Sequence, residues 1–326
     1  MTANPEERRF RIAMVVACAF PANHGTPAAI REICETLVQM GHEIHIITYP
    51  LFEDHIPLDP RVRLHRPLPA RCDIIPVGPS LRRVGYDLLL PWTLLQVVRR
   101  YRCQVIHVHN YEGLMVGILG KMFTGKPLIY NAINTMGDEL PSYGVIRPQF
   151  LAVGLARLLD RFPPRAADHV IANTLELKDF LVKQGVAPER ITPVPTAIDA
   201  SFFAQGDRGR VRRRYHLGDR PVVIYTGTFD FFQGLELLLQ AFGEVKGRIP
   251  DAALLLLGST VMPEHRRSLE AQARELGIIE DVIFAEAPFG ELPDYLAAAD
   301  VGVVARPISK GMPVKILNGL LTLLSK

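Results

Sequence analysis

Apolar positions fall into short continuous runs that alternate with longer stretches in which they recur every three or four residues. Ile12 to Ala17 is a run of the first kind, the mark of a parallel strand covered on both faces. It gives way to PANHGTP. Beyond that turn Ala28, Ile30, Ile33, Cys34, Leu37 and Val38 lie at helical spacing, and Gly41 ends the helix. Glu43 to Thr48 then reads as a second strand, which completes a βαβ unit. Strands at Val105 to Val108, Leu128 to Tyr130, Val170 to Ala172 and Ile191 to Val194 follow. They alternate with helices at Leu114 to Phe123, Gln149 to Leu159 and Leu175 to Gln184. Such alternation specifies a doubly wound α/β sheet.

The pattern breaks over 201–220, where Gly206, Gly209 and Gly218 accompany the basic run Arg210, Arg212, Arg213 and Arg214. The domains predicted on either side are 1–200 and 201–326, joined by a linker. The second opens with strand Val222 to Thr226 and continues through helix Leu235 to Lys246, strand Ala253 to Leu257, helix Glu264 to Leu276 and strand Val282 to Phe284. Helix Leu292 to Ala298 and strand Val301 to Ala305 complete the series. Val314 to Leu324 reads as the opening of one more helix before the sequence stops at Lys326, so the second domain is expected to be incomplete, with an uncovered edge.

Composition narrows the class. With 48% hydrophobic and 22% charged residues in 326, long disorder is excluded. A net charge of +3, from 37 basic and 34 acidic residues, does not make nucleic acid a partner. Leu88 to Val98 is the longest apolar run near the middle of the chain. It falls well short of the roughly 20 residues that span a bilayer. Peripheral membrane contact stays open, because the segment from Arg61 to Arg102 sets nine Arg against only Asp73 and Asp87, interleaved with Leu81, Tyr86, Leu88 to Leu90 and Trp92. That patch suits anionic headgroups, or equally solvated arginines around a buried helix. Cys18, Cys34, Cys72 and Cys103 form no CxxC pair, and the N-terminus has no signal-peptide pattern. A reduced, cytoplasmic protein is expected, with a place at the inner face of the membrane left open.

Candidate chemistry lies at strand ends. Gly25 sits before a helix N-terminus, where free N–H groups favour an anion; a plain turn accounts for it as well. VIHVHN places His107 and His109 on one face of a strand, with His109 nearer the ligand-binding end. There it can donate to a sugar hydroxyl or a phosphate, or serve structure alone. Asp138 and Glu139 in a polar loop can orient an acceptor hydroxyl or simply favour a helix N-terminus. Gly227 closes a strand, and Thr226, Thr228 and the helix after Gly234 can meet a phosphate. Lys310, Lys315 and Asn318 bracket the start of the last predicted helix. No spacing fits a Ser-His-Asp triad or a metal site.

Taken together, FPANHGTPAAIREICETLVQMGHEIHIIT, VIHVHN, VIANTLELKDFLVKQGVAPERITPVPTAID, YTGTFDFFQGLELLLQAF and ELPDYLAAADVGVVA resemble retaining glycosyltransferase family 4, also called group 1. The resemblance covers residues 10–326. It implies the GT-B fold, two Rossmann-like domains facing a central cleft, the second one truncated here. It further implies transfer of a hexose from a UDP- or GDP-sugar to a lipid-linked or polysaccharide hydroxyl, without metal or cofactor. Gly25 would belong to the loop near the donor phosphates and His109 to the sugar site, with Gly227 opening the diphosphate segment. Where that segment usually carries Arg and Lys, this chain has Thr228 and Gln233. The family's two glutamates fall on Lys310 and Asn318, and Lys315 is placed to return a positive charge. These departures fit a second reading, a non-catalytic relative that binds a nucleotide or a partner protein.

Overall fold

In the computed structural model, which describes residues 9–22, 25–52, 56, 58–72, 81–141, 146–195, 197, 200–229, 233–258 and 263–305, the chain divides into two units, Met1–Thr196 and Ala197–Lys326. The first is built on β1 (Arg11–Val16), α1 (Gly25–Gln39), β2 (Glu43–Thr48), β3 (Leu51–Phe52), β4 (Arg63–His65) and β5 (Arg71–Cys72). It continues with α2 (Leu81–Arg100), β6 (Val105–His109), α3 (Asn110–Thr124), β7 (Leu128–Ala132), α4 (Met136–Glu139), α5 (Gln149–Arg161), β8 (His169–Ala172), α6 (Leu175–Lys183) and β9 (Ile191–Pro193). Seven of these strands form one sheet in the order β4-β2-β1-β6-β7-β8-β9, and β3 pairs with β5 apart from it. The seven pair in parallel throughout.

The chain runs outward from β1 to β4 and then returns to β6 on the other flank of β1. Connections therefore diverge between β1 and β6, where Val16 lies opposite His109. Open α/β sheets bind ligands at the carboxyl end of such a divergence. Beneath it Ala13, Met14, Val15, Val16, Ile106 and Val108 are sealed from solvent, as strands covered on both faces must be. Cys18, Cys34 and Cys103 are buried and free.

The arginine-rich stretch contains α2, which buries Leu90, Leu94, Val97 and Val98 and leaves Val84, Leu88, Leu89 and Trp92 exposed. Several of its arginines already have partners. Arg61 pairs with Asp59 at 2.7 Å and Arg63 with Glu43 at 3.2 Å. Arg66 donates to the Phe20 carbonyl at 2.8 Å. Among the described residues no helix is long and apolar enough to cross a membrane.

The second unit comprises α7 (Ala200–Phe203), α8 (Arg208–Arg214), β10 (Val222–Thr226), α9 (Leu235–Arg248), β11 (Ala253–Leu257), α10 (Pro263–Glu275), β12 (Val282–Ala285), α11 (Leu292–Ala298) and β13 (Val301–Val303). Its parallel sheet has the order β12-β11-β10-β13. The segment whose composition reads as a linker is folded, which corrects that expectation. α8 carries the basic run, and its arginines clasp α11 and the residues on either side of it. Arg210 pairs with Asp294 at 2.5 Å, Arg212 with Asp300 at 2.8 Å and Arg214 with Glu291 at 2.7 Å. Glycine and arginine content signals a break only when the arginines lack acids to meet, and these acids lie some 80 residues away in sequence. The expected helix at Val314 to Leu324, and with it the incompleteness of the second domain, lies outside the described residues.

Candidate functional site

Two sets of groups stand at strand carboxyl ends, one in each unit. In the first, His109 ends β6 and caps α3 from extended backbone (φ −120°, ψ 145°), and it is fully buried. β7 runs alongside with Asn131 opposite His109. Asn131 Nδ2 lies 3.1 Å from His109 Nδ1. An amide nitrogen only donates, so Nδ1 accepts and the ring proton sits on Nε2. That Nε2–H is buried without a partner among the described residues, as are His107 Nε2, Asn131 Oδ1 and Asn134 Oδ1. Buried polar groups ordinarily find partners. Four such atoms on β6, β7 and the stretch just beyond β7 suit a hydroxyl-bearing ligand or water.

His107 shares the face, with its ring centroid 4.6 Å from that of His109. Burial pushes the His107 pKa down to about 4 and holds His109, beside it, well below the ordinary 6.5. Both rings are neutral near pH 7. The unfolded chain takes up a proton as pH falls through 6.5, whereas folded His107 does so only near 4, so stability is lost across that window. The loss from His107 alone is expected to be about 2 kcal/mol near pH 5. Urea midpoints at pH 7.5 and pH 5 for the wild type and His107→Gln would show it, the variant losing less by that amount. Equal losses in the two proteins would refute it.

Gly25 is the first residue of α1, exposed, with open space where a Cβ would stand. Asn23 and His24 lie outside the described residues. Asp138 and Glu139 belong to the backbone of α4, and their side chains are likewise outside them. α4 begins four residues after the end of β7 and five after Asn131.

In the second unit, Gly227 follows β10, and Gly234 opens α9 in the left-handed region at φ 75°, where glycine has no steric cost. Gln233 Nε2 donates to Thr228 Oγ1 at 3.2 Å, and the Tyr225 hydroxyl donates to the Thr228 carbonyl at 3.0 Å. The fold thus brings Thr228 and Gln233 together at the N-terminus of a 14-residue helix, where free amides and the helix dipole favour an anion. Lys310, Lys315 and Asn318 lie outside the described residues. Among the described residues no group of three His, Cys, Asp or Glu could hold a metal ion.

Three residues that shape these regions are not singled out by the sequence. Asn131 closes an apolar strand and shows its role only through its pairing with His109. Asp160 lies in the last turn of α5. Gly258 left a trace: it follows the LLLL run of β11 as Gly227 follows β10, and register sets Thr226 beside Leu257, so the two glycines come next to each other.

Residues 24–202 match the family model described as Glycosyltransferase Family 4, and residues 220–322 match the one described as Glycosyl transferases group 1. A GDP-mannose-dependent alpha-(1-6)-phosphatidylinositol monomannoside mannosyltransferase of Mycolicibacterium smegmatis is 38% identical over 111 residues, 33% of this chain and 28% of that protein. A D-inositol 3-phosphate glycosyltransferase of Thermobispora bispora is 29% identical over 302 residues, 86% of this chain and 68% of that protein. The chain therefore spans between about a quarter and two thirds of the length of these curated relatives. Among solved structures, sucrose-phosphate synthase from Thermosynechococcus elongatus superposes with a TM-score of 0.72 at 21% identity, covering 95% of this chain and 79% of that one. At that identity the likeness establishes the GT-B fold alone.

Proposed function

Because the chain belongs to Glycosyltransferase Family 4, whose model it matches over residues 24–202, we propose that it transfers a hexose from a nucleotide diphosphate sugar to a hydroxyl of a lipid-linked or polysaccharide acceptor, with retention and without a metal. The observation that carries this reading is the unpartnered, buried Nε2–H of His109 at the divergence of a parallel sheet. A neutral imidazole donor held by Asn131 suits a sugar hydroxyl, which offers lone pairs and no charge. The second unit takes the diphosphate at the amides opening α9, with Thr228 and Gln233 hydrogen-bonding its oxygens. Lys315 adds positive charge and Asn318 meets the ribose. Charge that grows on the leaving diphosphate is met by donors already in place, which lowers the barrier more than it lowers the energy of bound substrate. The leaving phosphate takes the acceptor proton on the face it departs from. His109 positions the sugar and moves no proton.

GDP is the first nucleotide to test, since the mannosyltransferase named above is GDP-mannose-dependent. The expected result is a rise in melting temperature with GDP or UDP in the absence of divalent metal. His109→Ala should keep that rise and lose sugar transfer by about 100-fold or more. Transfer undiminished in the variant would remove His109 from the reaction. The alternative, a non-catalytic nucleotide-binding relative, draws on the hydrogen bond that Thr228 and Gln233 make to each other where the family places cations. It predicts the melting shift with no transfer to any acceptor.

Contact with anionic lipid belongs to the same reading. The exposed Val84, Leu88 and Trp92 of α2 recur at helical spacing, with Arg82, Arg99 and Arg100 exposed on the same helix. The protein is expected to sediment with phosphatidylglycerol vesicles and not with phosphatidylcholine ones, and Trp92→Ser should reduce the bound fraction several-fold. Equal binding to both vesicles would exclude this contact.

A further inference from the structure

We infer that Asp160 is a positioning residue for the acceptor-side segment, a role whose kinetic consequence rests on the glycosyltransferase reading above. An acid in the last turn of a helix faces the unfavourable end of the dipole, and Asp160 holds such a place in α5 while only 4% exposed. Its carboxylate is turned to other elements. Oδ1 accepts from the Tyr111 hydroxyl of α3 at 2.5 Å and from the Met136 amide at 2.8 Å, and Oδ2 accepts from the Gly137 amide at 2.9 Å.

Those two amides open α4, and α4 has only four residues. A helix so short cannot hold itself, because nucleation fixes several residues for a single backbone bond. Thr135, which precedes it, makes no capping bond through its side chain. Asp160 does the capping from a different helix. Gly137 permits the approach, since a Cβ there would lie 3.2 Å from Asp160 Oδ2. Tyr111 fixes Oδ1, and its ring packs edge-on against Tyr130 of β7, with centroids 6.0 Å apart. One carboxylate therefore ties α3, α5 and the stretch that leaves β7. That stretch begins two residues after Asn131 and carries Asp138 and Glu139. If it moves, the acceptor side loses its shape while the nucleotide-binding groups of the second unit do not.

The test combines amide hydrogen exchange with initial-rate kinetics on the whole chain, for the wild type, Asp160→Asn and Tyr111→Phe. Asparagine keeps the volume but faces at least one donor with another donor. Exchange at Met136 and Gly137 should quicken by about 10- to 100-fold in Asp160→Asn, with α1 and α9 unchanged. The acceptor KM should rise about 10-fold or more while the donor KM stays within about twofold. Tyr111→Phe should show the same split at a few-fold size, and it carries the test if Asp160→Asn does not fold. Unchanged exchange at the two amides, or donor and acceptor KM rising together, overturns the inference. Should the wild type transfer no sugar at all, the glycosyltransferase reading falls and the exchange arm alone decides whether Asp160 holds α4.

Discussion

Arg212→Ala is expected to destabilise the second unit by about 2–3 kcal/mol, the cost of removing a buried guanidinium that serves three backbone carbonyls and one partly exposed carboxylate. The side chain is 8% exposed and every arm of its guanidinium is used. Nε donates to the Ala298 carbonyl at 2.9 Å, and Nη1 donates to the carbonyls of Gly218 at 2.6 Å and Arg220 at 3.1 Å. Nη2 meets Asp300 Oδ2 at 2.8 Å. Asp300 in turn accepts from the Val222 amide at 2.8 Å, at the entrance to β10, and from Arg208 at 2.7 Å. Burial works against the Asp300 charge, yet the hydrogen bonds from Arg208 and Val222 and the attraction of both arginines hold its pKa below the usual carboxylate value. Without Arg212, α8 loses its tie to the end of α11 and three carbonyls lose a donor. Lysine offers a single ammonium in place of the planar fork, so Arg212→Lys should recover less than about half of the loss. Arg213→Ala is the control: its side chain is 75% exposed, and the change should stay within about 0.5 kcal/mol. Urea unfolding of the three variants reads all of this, and a loss under about 1 kcal/mol for Arg212→Ala would show that the clasp adds little.

Gly258→Ala is expected to cost about 3 kcal/mol and to abolish the nucleotide-induced rise in melting temperature. A Cβ at Gly258 would stand 1.7 Å from the Gly227 carbonyl oxygen and 3.1 Å from Phe229 Cε1. The first contact is with backbone, which cannot rotate away as a side chain does. The Gly227 amide is held by the Leu257 carbonyl at 3.0 Å and the Gly258 amide by the Ala285 carbonyl at 3.0 Å. Relief must therefore come from parting β10 and β11 at their carboxyl ends, where Thr228 and Gln233 sit. Overpacking in a tight interior costs roughly 1–3 kcal/mol, more when backbone must move. Gly243→Ala offers the comparison, in a helix with open space around it, and should be neutral or slightly stabilising. If Gly258→Ala melts like the wild type and still responds to nucleotide, the close approach of the two glycines is not what shapes the carboxyl ends of β10 and β11.

These results depend on parts of the molecule that were unequally legible in the chain. Strands β2, β10 and β11 and helix α11 follow the hydrophobic pattern to the residue, because a strand buried on both faces or a helix buried on one leaves a continuous or periodic apolar signal. β3, β4 and β5 left none, being only two or three residues long. α8 was hidden for another reason. Its arginines read as a charged break, and the acids that make them a structural clasp come from α11 and the residues beside it.

The same division holds at the site. Local spacing sufficed to put His109 at a strand end and to place Thr228 and Gln233 around the start of a helix. It could not say which nitrogen of His109 carries the proton, since that depends on Asn131, 22 residues later and one strand over. Nor could it show that Gly227 and Gly258 touch, or that the hold on α4 comes from Asp160. Secondary structure follows from the order of apolar and polar residues because each element buries its own face. Hydrogen-bond partners and close backbone approaches are set by which strands lie side by side, and only the folded sheet fixes that.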